Sequence, residues 1–252
     1  MRILISNDDG IYSPGLAALA QMAAKFGEVR IVAPDVEQSS KSHSITSSRP
    51  LRMRRTYIPQ LNDFEAYRVD GTPADCVALG IYTWGKVDLV LSGVNLGPNI
   101  GNGIWHSGTL AAAKQAALHG LRGIAFSTPA HEDIPDFDTV MPWAEKALEM
   151  LLPHVQLPLV NVNVPPKPKG LAWTCQSFRH YDGYIVPGKD PMGREHFWFS
   201  VRPIEQVEPG SDRWAVDNGY VSMTPLRLDL TDEKLLNDVQ HTAPVDASCS
   251  MA

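Results

Sequence analysis

Two adjacent carboxylates, Asp8 and Asp9, follow the short apolar run Arg2 to Ser6 in MRILISNDDG, with Asn7 before them and Gly10 after. The run is mostly Ile and Leu with little alternation, which is the pattern of a strand buried on both faces of a parallel sheet. The carboxylates then fall at its carboxyl end, the edge where open α/β sheets bind ligands. Like charges side by side cost free energy unless a cation or a proton neutralises them. Asn, Asp and Gly are also ordinary turn residues, so these four letters alone leave a turn and a ligand site both open.

Two further segments carry polar groups that can join them: EQSSKSHS after the second strand, and SGVNLGPNIGNG after the strand VDLVLS. Apart from His43 and His106, their donors are carboxylate, hydroxyl and amide oxygens, a set that selects Mg²⁺, Mn²⁺ or Ca²⁺ over zinc. The glycines of the third segment allow backbone N–H groups to approach a ligand closely. That segment feeds a helix start at HSGT, where unpaired amides and the helix dipole favour an anion. A metal beside an anion hole suggests phosphate. The loop lacks the Gly-Lys-Ser/Thr ending of a P-loop, and the chain start lacks the spaced aspartate pair of aspartyl-phosphate phosphatases. Taken alone, such a glycine-rich loop is equally a flexible connection.

An alternating series of elements would bring these segments to one edge. In SPGLAALAQMAAKFG, Ser13 suits the cap, Pro14 the first helical position and Gly27 the terminator of a first helix. EVRIVAP is a second strand, giving a parallel crossover unit. The serine-rich DVEQSSKSHSITSSRP is long enough for a functional loop, and Leu51 to Val69, rich in arginine and aromatics, suggests a hairpin or edge excursion. DGTPADCVALGIYTW is a turn leading into a short helix, followed by the strand KVDLVLSG, a helix from Ser107–Thr109 to Gly120, the strand GIAFST, the helix TVMPWAEKALEMLL and the strand PLVNVNVP. The alternation predicts a doubly wound α/β fold.

Past Pro165 the strand-like runs are broken by Gly and Pro, and they suggest β-hairpins attached to the α/β body. The expected division is a catalytic core over 1–165 and a hairpin and oligomerisation region over 166–252. Phe197, Trp198 and Phe199 are crowded into one run, which makes a subunit interface plausible. The final HTAPVDASCSMA is expected to fray.

The balance of 22 Lys+Arg against 28 Asp+Glu, a formal charge of -6, argues against a broad nucleic-acid footprint but allows a phosphate ligand held locally. Cys76, Cys175 and Cys249 have no metal-ligand spacing, and an odd count fits reduced thiols in a cytoplasm. With a first strand starting at Met1 or Arg2 there is no room for a signal peptide, and no apolar stretch approaches the ~20 residues of a membrane span. A cytoplasmic protein with no membrane partner is expected.

Together MRILISNDDG, APDVEQSSKSHSIT, GTPADCV, SGVNLGPNIGNGIWHSGTLAAA, VNVNVP and GYVSMTPLRLDLT resemble the SurE family of stationary-phase survival nucleotidases over nearly the whole chain. The resemblance implies a Rossmann-like body and hydrolysis of nucleoside monophosphates at the 5′ or 3′ position. It also implies a homodimer or homotetramer built partly by exchanged C-terminal elements and, in some members, trimming of short polyphosphate. One divalent metal per subunit, Mg²⁺ or Mn²⁺, would be held by Asp8, Asp9, Ser39 and Asn95. Phosphate would meet Asn99 and Ser107, with Asn95 close by and the backbone amides of Gly108 and Thr109 as helpers. Asp8, Asp9, Asn99 and Ser107 then carry the catalysis, with one aspartate as base for a water and direct carboxylate attack left open.

The chain departs from the family pattern at His106, preceded by Trp105, where tyrosine is usual, at AAAKQAALHG, where an acidic residue and glycine are common, and at SKSHS, where a glycine often precedes. His106 is expected to be packed or solvent-facing, with a leaving-group acid as its alternative, and His43 caps its loop or adds a cationic contact. The rival functions are a nucleotide- and metal-binding module without turnover and an enzyme acting mainly on polyphosphate.

Overall fold

In β1 (Arg2–Ser6), Ile3 and Ile5 point to one core and Leu4 to another, all without solvent contact. Burying each such side chain contributes roughly 1.5–3 kcal/mol, and only a strand covered on both faces accommodates them. The computed structural model describes residues 1–129, 135–179 and 181–242, the last two residues by backbone alone. Cys249 and the terminal stretch from residue 243 lie outside the described residues.

The chain continues through α1 (Pro14–Ala23), β2 (Glu28–Pro34), β3 (Met53–Thr56), β4 (Glu65–Val69), α2 (Pro73–Trp84) and β5 (Leu89–Leu96). A 3₁₀ turn (Gly101–Trp105) then leads into α3 (Gly108–Leu118), β6 (Arg122–Thr128), α4 (Phe137–Leu151) and β7 (Leu159–Asn163). β1, β2, β4, β5, β6 and β7 pair in parallel, with β3 antiparallel on the β4 edge. α1 and α4 cover one face, where Leu16, Leu19, Val140 and Leu148 meet Ile5, Ile31 and Phe126. α2 and α3 cover the other, where Val77, Ala112 and Ala116 meet Leu4, Val32 and Val90. The doubly wound α/β expectation holds.

Beyond β7 come β8 (Gly170–Trp173), β9 (Tyr181–Lys189), β10 (Glu195–Pro203), α5 (Asp212–Asp217), β11 (Tyr220–Pro225) and α6 (Glu233–Thr242). The order of the main sheet is β3-β4-β2-β1-β5-β6-β7-β11-β8. Of the C-terminal runs expected as hairpins, only β9 and β10 form one, with Phe199 opposite Ile185 in a separate two-stranded sheet. β11 instead lies antiparallel to β7 in the main sheet, because Val221 and Met223 belong to the core under α4. Within the region past Pro165 expected as hairpins, the segment DRWAVD is a helix, α5, capped by the Ser211 hydroxyl accepting from the Trp214 N–H at 3.1 Å. α6 was not expected at all.

Two local assignments also change. α1 ends at Ala23 with Ala24 as its cap, so Gly27 does not terminate it. A Cβ on Gly27 would lie 2.0 Å from the Met1 carbonyl oxygen, and the glycine is needed for that close approach. Ser13 occupies the N-cap position without a side-chain cap bond, and its hydroxyl is directed elsewhere.

Candidate active site

From β1 the chain runs outward through β2 to β4, then returns to β5 on the opposite side of β1. The carboxyl ends of β1 and β5 therefore flank a topological switch point, the usual crevice of such sheets. A cavity of about 550 Å³ opens there, with Asp8, Asp9, Ser39, Asn95, Asn99 and Ser107 among its lining residues. Such a volume lies in the ordinary range for small-molecule sites.

The turn after β1 divides its labour. Asn7 donates from Nδ2 to the Gly10 carbonyl at 3.0 Å and accepts the Gly10 N–H at 3.2 Å, and Gly10 has a φ of 98°. These two residues make the turn, while Asp8 and Asp9 between them face the cavity. The Asp8 carbonyl accepts the Gln38 N–H at 2.7 Å, which ties the turn to the loop after β2.

Asp8 is buried against the start of α3, where a Cβ on Gly108 would sit 2.7 Å from the Asp8 Cβ. Its Oδ1 accepts from the Thr109 hydroxyl at 2.6 Å. Burial still pushes its carboxyl above the usual range, against the opposing effect of Thr109 and the backbone N–H groups of Thr109 and Gly108. Asp9 is pushed up to about 7 by burial, by the neighbouring Asp8 and to a smaller extent by Glu37, while the backbone at Leu96 opposes. Its Oδ2 is buried without a hydrogen-bond partner. An orphaned carboxylate oxygen beside a second carboxylate is stable only with a proton or a cation.

The other expected residues arrive from three elements. Ser39 is exposed on the loop after β2 and donates to Glu37 Oε1 at 2.6 Å. Asn95 at the end of β5 commits its amide nitrogen to the Gly97 carbonyl at 2.7 Å, which leaves its Oδ1 as the prong not held there. Ser107 caps α3 by accepting from the Leu110 N–H at 3.0 Å, so its own hydroxyl hydrogen is not used in the cap. Asn99 donates to Ser127 Oγ at 2.8 Å and to Thr109 Oγ1 at 3.3 Å. Thr109 is fully buried between Asn99 and Asp8 and completes a relay that fixes the carboxylate.

Several contributors had no sequence-based assignment. Asn161 and Asn163 on β7 both donate to the Asn99 carbonyl, at 2.7 and 3.0 Å, and Asn163 Oδ1 accepts the Asn99 N–H at 2.8 Å. Their alternation in VNVNV, two amides on one face of an otherwise apolar strand, was a legible signal. Buried Asp212 of α5 accepts the Gly101 N–H at 3.0 Å and holds the glycine loop from below. Glu37, Tyr181 and Ser13 line the cavity, and the Ser13 hydroxyl is buried without a partner. Nothing in SPG marks that role. His106 is exposed and lines the cavity, whereas His43 pairs with Gln115 of α3 at 2.8 Å and fastens the serine-rich loop. The far end of that loop is held by Asp75, whose Oδ1 accepts the Thr46 N–H at 3.0 Å while Oδ2 serves the capping box with Thr72.

Among the described residues no three His, Cys, Asp or Glu side chains gather as a metal cluster. The residues at this site fit a cation differently, through two carboxylates in deficit of positive charge and neutral hydroxyl and amide oxygens around them. That donor chemistry suits a hard divalent ion.

The family model described as Survival protein SurE matches residues 3–183. The chain is 47% identical over 235 residues to a protein of Thermus thermophilus named 5′-nucleotidase SurE 1, covering 92% of this chain and 93% of that one. It is 42% identical over 254 residues to the 5′-nucleotidase SurE of Deinococcus radiodurans, covering 96% and 93%. The crystal structure of the SurE protein from Aquifex aeolicus superposes with a TM-score of 0.82 at 37% identity, over 96% of this chain and 99% of that one.

Proposed function

Because the chain belongs to the SurE family, we propose that it is a metal-dependent phosphomonoesterase that hydrolyses nucleoside 5′-monophosphates to nucleoside and phosphate. The single observation that carries the metal is the buried, unpartnered Oδ2 of Asp9 beside Asp8 at the switch point. Mg²⁺ or Mn²⁺, one per chain, would be held by Asp8, Asp9, Ser39 and Asn95. When bound it supplies positive charge to the phosphoryl oxygens and lowers the pKa of an attacking water.

The chain's own residues do the rest. Asn99 and Thr109 keep Asp8 in one rotamer. Asp9 takes the proton of the attacking water. The Ser107 hydroxyl donates to a phosphate oxygen, and the start of α3 adds its dipole. Asn99 lies at the wall of the same cavity and bounds the phosphate position, and the Gly108 and Thr109 amides act chiefly through Asp8. His106 protonates the departing 5′-oxygen, with Tyr181 on the same wall as a second candidate donor.

Relatives named as enzymes over more than nine tenths of both chains favour turnover above a binding-only module. A homo-oligomer formed through the β9–β10 hairpin belongs to the same reading. It is supported by Phe197, Trp198 and Phe199, each about two-thirds exposed. A cytoplasmic location is supported by the unpaired thiols of Cys76 and Cys175, and no described helix is long and apolar enough to cross a membrane.

The test is phosphate release from a panel of 5′- and 3′-nucleoside monophosphates and tripolyphosphate, with Mn²⁺, Mg²⁺ or Zn²⁺ added to stripped protein. Release from 5′-monophosphates with Mn²⁺ or Mg²⁺, weaker with Zn²⁺ and abolished in chelator, is expected. Undiminished release in chelator would remove the metal from the reading.

A further inference from the structure

The arginine-rich excursion Leu51 to Val69 is not used by the active site, and it is unusually charged for a chain of net charge -6. Arg49, Arg52, Arg54, Arg55 and Arg68 all lie on or beside the edge pair β3 and β4. In that pair Arg54 stands directly opposite Arg68, and like charges facing each other across antiparallel strands are destabilising. Arg52 immediately precedes β3. Arg52, Arg54 and Arg68 line a recess of about 270 Å³ together with Asp35 and Asp70.

The arginines are only partly neutralised from within. Asp70 accepts the Arg52 N–H at 2.8 Å and pairs with Arg49 at 3.3 Å, both through Oδ1. Among the described residues, Arg52, Arg54 and Arg68 have no carboxylate within ion-pair distance. Counting Arg49, which pairs with Asp70, four guanidiniums stand against the two carboxylates Asp35 and Asp70 at this recess. A guanidinium is always charged, and its planar fork takes two acceptor oxygens at once. With two carboxylates in the recess its guanidinium charge stays in excess, and a tetrahedral oxyanion presents an edge to each of the three forks.

We propose that the recess between Arg52, Arg54 and Arg68 is a phosphate-binding site separate from the active cavity, which takes free inorganic phosphate or a phosphate group of a condensed phosphate chain. The bound anion offsets the cross-strand repulsion of Arg54 and Arg68, which gives the like-charged pair a reason to be there. The recess adjoins the end of β2, from which the chain leaves through Asp35 toward Ser39. It does not depend on the nucleotidase reading, since none of its arginines lines the active cavity.

The experiment uses full-length protein in chelator at constant ionic strength, titrated calorimetrically with inorganic phosphate and separately with tripolyphosphate. Arg54→Gln/Arg68→Gln should bind one equivalent fewer of phosphate than wild type, or bind it at least tenfold more weakly. The exposed Arg52→Gln should weaken it independently. In phosphate-free buffer the double variant should melt about 2 °C higher than wild type, because one like-charged pair is gone, and in saturating phosphate that order should reverse. Turnover of a nucleoside monophosphate with Mn²⁺ should stay within twofold. Loss of the phosphate equivalent identifies free phosphate as a ligand, and loss seen only with tripolyphosphate identifies the condensed chain. Wild-type stoichiometry and affinity for both probes in the double variant and in Arg52→Gln would overturn the proposal, even if nucleotidase activity were confirmed.

Discussion

Replacing Asp9 by asparagine should make the metal-free protein more stable and the metal-loaded protein less so. The Asp9 carboxyl titrates near 7 in the fold against an ordinary 3.8, chiefly because it is buried and because Asp8 is adjacent. An acid whose folded value lies above its unfolded one holds its proton better when folded. Its contribution to stability is therefore complete at low pH, fades as pH rises from about 3.8 through about 7, and is absent above that. About three pH units at about 1.4 kcal/mol each set an upper figure of about 4 kcal/mol. Asp9 keeps part of its surface in solvent, so screening reduces this to about 2 kcal/mol. Asp8 shifts in the same direction.

In chelator at pH 8, Asp9→Asn should then exceed wild type by about 2 kcal/mol, or about 4–8 °C in Tm for a chain of this size, and the difference should vanish near pH 4. With the cation at a hundredfold excess over its Kd, wild type gains about 2.7 kcal/mol, most of which the variant forfeits. The assay is thermal melting of both proteins between pH 4 and pH 8, in chelator and in millimolar Mn²⁺. A chelated Asp9→Asn protein that melts below wild type at pH 8, or a Mn²⁺ shift equal in both, would refute the charge-deficit account of the site.

Thr109→Val removes the hydroxyl between Asn99 and Asp8, so Asp8 loses its side-chain donor and Asn99 keeps only Ser127, a loss of about 1–3 kcal/mol. A fall of about 10- to 100-fold in kcat/KM with unchanged circular dichroism is expected, and activity within twofold of wild type would show that Asp8 needs no such brace. His106→Asn should slow nucleoside monophosphates by about 10²-fold or more but p-nitrophenyl phosphate far less, because a phenolate departs without a proton. Equal losses on both substrates would deny His106 the donor role, and Tyr181→Phe is the parallel measurement. Phe197→Ser/Trp198→Ser should convert an oligomer of at least twice the chain mass by light scattering into a monomer. Wild type that is already monomeric at micromolar concentration would remove the hairpin as an interface.

The sequence alone determined what depends on local pattern and composition. The unbroken apolar runs are the strands buried on both faces, Pro14 and Ser107 begin their helices, Gly120 ends one with a φ of 72°, and the mainly oxygen-donor character of NDDG, EQSSKSHS and SGVNLGPN, His43 apart, is visible without coordinates. The doubly wound order followed from the alternation of elements, because a parallel crossover has one favoured hand. Tertiary structure decided what depends on partners distant in the chain. Burial and packing, not local preference, put β11 antiparallel beside β7 and made DRWAVD a helix that reaches back to Gly101. The same packing assigned Gly27 to a contact with Met1, and sent His43 to Gln115 but left His106 on the cavity wall. Asp8 and Asp9 are identical letters in sequence. Only the fold gives one of them Thr109 and the start of α3 and leaves the other with a buried oxygen unpaired, since the environment that sets a carboxylate's charge is assembled from residues about a hundred positions away.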